Sequence, residues 1–152
     1  MPCPAAPRDQ VGYIRFEHAN ERFGGVAYGL FSYVSDARLE LSGDELSSLE
    51  RLLAWFEDHL DEPARMVPFR AVGKRRARRR KHEAMARCWF REDAVDHVTR
   101  ARELAVLLAR AGVPMVERRS SRVPGKLCAE DAAQIAVVVY RDRRPADGRR
   151  RV

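Results

Sequence analysis

The sequence predicts an α+β domain, a two-layer sandwich of two main helices packed on a mixed or antiparallel sheet. Three observations predict it. Two stretches, residues 44–59 and 94–111, carry apolar residues at three- and four-residue steps, the period of a half-buried helix. Short runs rich in β-branched and aromatic residues lie around them, at 11–18, 113–119, 126–130 and 134–140. Turn chemistry separates the last of these, with Val123-Pro124-Gly125 before one run and Asp131-Ala132-Ala133 between the next two.

Taken in order, residues 1–10 are Pro-rich and read as a flexible N-terminus, and residues 11–140 as one domain. Residues 11–18 alternate, Ile14 and Phe16 facing one way and Tyr13, Arg15 and Glu17 the other, which predicts a half-buried strand. Residues 19–25 form a loop turning at Gly24-Gly25. Residues 26–34 carry enough β-branched and aromatic side chains for a second strand, although Gly29 interrupts it.

Ser42-Gly43-Asp44-Glu45 fits a capping box, in which the hydroxyl and the Glu45 carboxylate cover each other's backbone donors. Leu46, Leu49, Leu53, Phe56 and Leu60 follow in helical register, Leu52 and Trp55 flank the stripe, and Pro63 stops it. Residues 65–73 connect to the basic segment 74–82. Residues 84–91 read as a strand because of Trp89 and Phe90, against the helical preference of Ala84, Met85 and Ala86.

The second helix takes its stripe from Ala94, Val95, Val98, Ala101, Ala105 and Leu108, widened by Leu104, Leu107 and Ala111. Glu92, Asp93 and Asp96 complement the positive end of its dipole, and Gly112 and Pro114 end it. The run at 134–140 is apolar on both faces, which predicts an interior strand. Residues 141–152 read as a basic disordered tail.

A chain of 152 residues with 45% hydrophobic content can bury a core. Its net charge of +7 is unevenly spread. Residues 74–81 contribute +7 and residues 141–152 contribute +4, which leaves the rest at −4. A mildly acidic body with two basic segments points to a local contact with a polyanion rather than to a uniformly basic fold. Cys3, Cys88 and Cys128 are odd in number and lack paired spacing, so they read as reduced thiols in the cytoplasm. No stretch approaches the ~20 apolar residues of a membrane span, so no membrane partner is expected.

The strongest chemical signal is Lys74, Arg75, Arg76, Arg78, Arg79, Arg80 and Lys81. Lysines and arginines at phosphates release condensed counterions, and arginine also grips phosphate oxygens in a fork. Nucleic acid is the expected partner. An acidic protein is the alternative, and a solvated linker is the reading without function. No zinc-finger spacing, basic zipper or RNA-recognition strand motif accompanies the run.

Glu130, Asp131 and Gln134, with Lys126 upstream, form the only candidate acid cluster for metal-assisted phosphate chemistry. The plainer reading is that Asp131 makes the turn and its neighbours end strands. His18, His59, His82 and His97 are scattered, and a zinc pair from His97 and Cys88 lacks the short paired spacings such sites use. His97 reads as a helix-surface or half-buried side chain. Trp55-Phe56 and Trp89-Phe90 read as core aromatics before base-stacking platforms. No catalytic residue, metal or cofactor is expected, and the sequence says nothing of oligomeric state.

Cys88-Trp89-Phe90-Arg91, His97, Gly112-Val113-Pro114, Pro124-Gly125, Glu130-Asp131 and Gln134-Ile135-Ala136 together resemble the pattern of a family of small uncharacterised bacterial proteins. Tyr13-Ile14-Arg15-Phe16, Tyr28-Gly29-Leu30-Phe31 and Trp55-Phe56 extend the resemblance over residues 11–140. It implies a shared fold and a bacterial, cytoplasmic setting. The family has no established activity, so no function comes with it.

The expected function is a non-enzymatic cytoplasmic binding module that contacts nucleic acid, or a nucleic-acid complex, through the basic run. Two alternatives stand beside it. One is a protein-interaction module of inhibitor or immunity type that binds an acidic partner. The other is a metal-dependent nuclease-like enzyme built on Glu130, Asp131 and Lys126.

Overall fold

The structure, a computed structural model, describes residues 11–22, 27–61, 67–68 and 87–138. The expectations for residues 1–10, 23–26, 62–66, 69–86 and 139–152, the turn at Gly24-Gly25 and the basic segment among them, fall outside these residues.

The chain runs β1 (Tyr13–His18), a short 3-10 helix (Leu30–Tyr33), α1 (Val34–Glu40), α2 (Gly43–His59), β2 (Val67–Pro68), β3 (Arg87–Arg91), α3 (Val95–Arg110), β4 (Met115–Ser120), β5 (Lys126–Glu130) and β6 (Gln134–Val138). The strands form a six-stranded sheet in the order β2-β5-β6-β3-β1-β4, and every neighbouring pair is antiparallel. The expected α+β sandwich is therefore observed, with an antiparallel sheet.

The helices cover one face. Ile14 and Phe16 of β1 and Phe90 of β3 meet Leu49, Leu52 and Phe56 of α2 and Val98, Leu104 and Leu108 of α3 in the main core. The other face carries a smaller apolar cluster of Tyr13, Ile135 and Val137, with Trp89, Val123 and Leu127 against it. β1 is thus buried on both faces rather than half-buried, Tyr13 being only 2% exposed. β6 is buried along its length between β5 and β3, as an interior strand requires.

Three local expectations need correction. The described part of the strand expected at 26–34, residues 27–34, is no strand: apart from a single bridge between Gly29 and Glu17, it turns into the 3-10 helix and enters α1. Leu30, Tyr33, Val34 and Ala37 are buried at helical spacing, and that period overrides the β-branched composition. The capping box does not form, since Ser42 caps α2 without a side-chain hydrogen bond and Glu45 instead faces Arg110 of α3. At α3 the predicted stripe holds at Val98, Ala101, Leu104, Leu107 and Leu108, all buried, but not at Val95, which is 66% exposed at the first turn.

The stop of α3 is as predicted. Gly112 takes a φ of +86°, the amide of Val113 donates to the Leu108 carbonyl and that of Gly112 to the Ala109 carbonyl. This is the double bond pattern of a Schellman motif. At the β5–β6 hairpin, Asp131 Oδ1 accepts from the amides of Ala133 and Gln134 at 2.8 and 2.9 Å.

Candidate functional site

The site begins with a split in the sheet. β1 pairs with β4 along its whole length, but with β3 only at Tyr13↔Arg91 and Ile14↔Phe90. Beyond Ile14 the two strands part. Residues 27–29 run beside the second half of β1, where the His18 amide donates to the Tyr28 carbonyl and Glu17 bridges to Gly29.

Arg15 closes the split. Its Nη1 donates to the Cys88 carbonyl at 2.9 Å, its Nη2 to the Ala27 carbonyl at 3.3 Å and its Nε to Glu17 Oε1 at 3.2 Å. A side chain thereby replaces the missing rungs between β1 and β3. Gly29 lets the guanidinium lie against the backbone, for a methyl there would stand 3.1 Å from Nη2.

Arg15 is only 7% exposed. Burial lowers its pKa, the Glu17 carboxylate raises it, and the nearby charge of Arg87 lowers it further. Burial pushes the Cys88 thiol up, so this thiol is not primed as a nucleophile. Glu17 is shared, because Arg118 approaches its other oxygen at 3.5 Å.

A cleft of about 670 Å³ opens over this split. Leu53, Phe56 and Leu60 of α2 and its C-cap form one wall, and Phe16 and Phe90 lie across from them. Arg15, Arg87 and Gln134 supply polar groups, and Glu57 and Asp61 stand on the α2 side. Tyr28 and Phe31, 40% and 42% exposed, belong to the same lining. Gln134 is held by its Nε2, which donates to the Asp61 carbonyl.

Sequence reading assigned no role to Arg15, Tyr28, Phe31 or Arg87. The signal available was a charged residue inside Tyr13-Ile14-Arg15-Phe16, among neighbours that all read as strand. A guanidinium there must find buried partners, and those partners come from β3 and residues 27–29, which only folding brings together.

The residues that were singled out fare differently. Lys74, Arg75, Arg76, Arg78, Arg79, Arg80 and Lys81 lie outside the described residues. Asp131 is spent on the hairpin turn. Lys126 and Glu130 stand at opposite ends of β5, roughly 13 Å apart along an extended strand, so the acid cluster and its lysine are not brought to one point.

His97 and Cys88 also lie apart. Cys88 packs with Ala129 and Ala136, whereas His97 meets the His59 carbonyl at 2.8 Å and the edge of Trp55 at 4.8 Å. Trp55 is engaged by its own chain, with His59 stacked at 4.3 Å and the Arg100 guanidinium at 4.1 Å. That ring joins α2 to α3 and offers no open platform for a base.

Comparison with known proteins adds no relative: no family model matches the chain, and no curated protein or solved structure matches it. The family resemblance read from the motifs gains no support from these comparisons.

Proposed function

We propose that this protein is a non-enzymatic binding module that contacts nucleic acid, or a nucleic-acid complex, through Lys74, Arg75, Arg76, Arg78, Arg79, Arg80 and Lys81, assisted by the arginines after residue 140. The reading rests on charge. The two basic segments hold more positive charge than the whole chain has net, and the remainder is acidic. A polyanion drawn to such segments gains counterion release at each neutralised phosphate.

The observation that carries the reading furthest is a register. Arg87, where β3 starts, pairs with Val137, next to the end of β6. β2 runs toward the same end of the sheet, since Val67 pairs with Glu130 and Pro68 with Ala129 while Lys126 pairs with Val138. The basic run belongs to the sequence joining Pro68 to Arg87, and the arginine-rich tail follows Val138. Segments far apart in sequence are thus attached to neighbouring points of one sheet end, about 5 Å apart at the β3–β6 pair. Such an arrangement favours joint engagement of one polyanion.

The test is fluorescence anisotropy with short duplex DNA and with single-stranded RNA at low and high salt. It is run beside a variant with Arg75, Arg76, Arg78, Arg79 and Arg80 changed to Ser. The expected result is binding that falls steeply with salt and is lost in the variant. Absence of binding by the wild-type protein overturns the proposal. A protein captured from the source cell in that case, and lost in the same variant, would establish the acidic-partner alternative.

A further inference from the structure

We propose that the cleft over the β1–β3 split is a binding site for a small organic carboxylate with an apolar body, its head at Arg15 and its body among the phenylalanines. The inference is separate from the polyanion reading and uses none of its residues.

Three features of the cleft define the ligand. The first is the buried cation. A guanidinium has five N–H groups, and the hydrogen bonds of Arg15 to Glu17, Cys88 and Ala27 use three nitrogens once each. Among the described residues, two N–H groups are left for a further acceptor. A carboxylate suits them, because it accepts charge-assisted hydrogen bonds from arginine. Glu17, the carboxylate beside Arg15, also serves Arg118. Arg87 lines the same cleft, and its charge is close enough to lower the Arg15 pKa. A buried guanidinium whose Glu17 counter-charge is shared with Arg118 gains from an incoming anion, since burial leaves little water to screen it.

The second feature is the apolar body of the cleft. Phe16, Phe56 and Phe90 are all under 9% exposed and already fixed in the main core. They face the cleft as preorganised surface, so a ligand needs to immobilise few side chains on entry. Tyr28 and Phe31 are large aromatic side chains left substantially exposed in the same lining. Sites for drug-sized ligands have this make-up, mostly apolar with a few placed polar groups, and volumes of about 300–1,000 Å³.

The third feature selects against larger anions. Glu57 and Asp61 stand on the α2 side of the cleft. They disfavour a ligand that carries further negative charge along that side of the cleft.

The probes are 1-naphthoate, its uncharged counterpart 1-naphthalenemethanol, and decanoate, each titrated into the full chain by calorimetry. Binding of 1-naphthoate or decanoate at one site per chain, at least tenfold tighter than 1-naphthalenemethanol, is expected. Whichever acid binds more tightly identifies the body as aromatic or aliphatic. Equal affinity for the acid and the alcohol overturns the proposal, because the cation then contributes nothing. No binding of either acid overturns it as well.

Two variants locate the site. Ser32→Trp places an indole at an exposed lining position and is expected to weaken the acid at least tenfold with an unchanged circular dichroism spectrum. Arg15→Gln is expected to remove the preference for acid over alcohol. Unaltered 1-naphthoate affinity in a folded Ser32→Trp variant overturns the assignment. The variant with five arginines changed to Ser is expected to bind 1-naphthoate as the wild type does, which separates this site from the polyanion contact.

Discussion

Arg15 bridges the two halves of the sheet where their backbone pairing stops. Its guanidinium holds carbonyls of β3 and of residues 27–29, where backbone pairing has stopped. Arg15→Met keeps the apolar stem and removes every donor, leaving the Cys88 and Ala27 carbonyls short of a partner and Glu17 short of a cation. A loss of about 2–4 kcal/mol follows from unsatisfied buried groups of this kind, measured as a lower urea midpoint. A midpoint equal to the wild type would show that the split is held by other contacts.

Tyr33 supplies a second prediction at the residue scale. Burial and the bond from its hydroxyl to Glu21 Oε2 at 2.9 Å push its pKa up to about 12. The folded value exceeds the usual ~10, so the contribution to stability is complete below pH 10 and is lost as pH rises toward 12. Phenolate absorbance should show Tyr33 as a late-titrating tyrosine that disappears in Tyr33→Phe. The variant should also lose part of the fall in stability between pH 10 and 12. A wild-type titration with all tyrosines near 10 would contradict the contact.

At the scale of the element, the ends of α2 and α3 behave oppositely. Gly112 ends α3 with a φ of +86°, and an added Cβ would meet nothing within 4 Å. The cost of Gly112→Ala is therefore purely conformational, about 1 kcal/mol, with Gly112→Asn costing less. Ser42 caps α2 with no side-chain hydrogen bond, so Ser42→Ala should change stability by under ~0.5 kcal/mol, against ~1 for a working cap. Thermal unfolding of the three variants decides both points. A large loss in Ser42→Ala would mean that the hydroxyl caps the helix after all.

The difference between these ends reflects what each local signal depends on. A glycine in left-handed geometry is a property of the chain alone, and nothing nearby competes with it. Glu45 had a choice, and the approach of α3 brought Arg110 within 3.5 Å. The exposure of Val95 is a related case: the apolar residues of α3 cover a broad arc, so periodicity locates the helix but does not decide which edge of the arc is left in solvent. The 3-10 helix and α1 were hidden for another reason. Val26, Tyr28, Phe31 and Val34 look like strand by composition, while burial of Leu30, Tyr33, Val34 and Ala37 follows the helical period.

For the whole molecule, separated charge makes salt the informative variable. Each phosphate released from contact lowers the slope of log affinity against log salt by about 0.9 on duplex DNA. Removing residues 141–152 should therefore reduce the slope measured for the wild type. Substitution of the five arginines in the run should reduce it further. A slope unaffected by loss of the tail would confine the contact to residues 74–81 and remove the joint engagement proposed from the β3–β6 register.

The sequence by itself determined the α+β class, the spans of α2 and α3, the β5–β6 hairpin and the interior position of β6. All of these follow from short-range periodicity and turn chemistry, which each segment carries within itself. It also set the separation of charge, a property of composition. Tertiary structure alone decided the split between β1 and β3, the closure of that split by Arg15, and the cleft above it. Those features arise where residues distant in sequence meet. A guanidinium's partners are backbone carbonyls, which every residue possesses, so no residue type in the sequence marks where they will be.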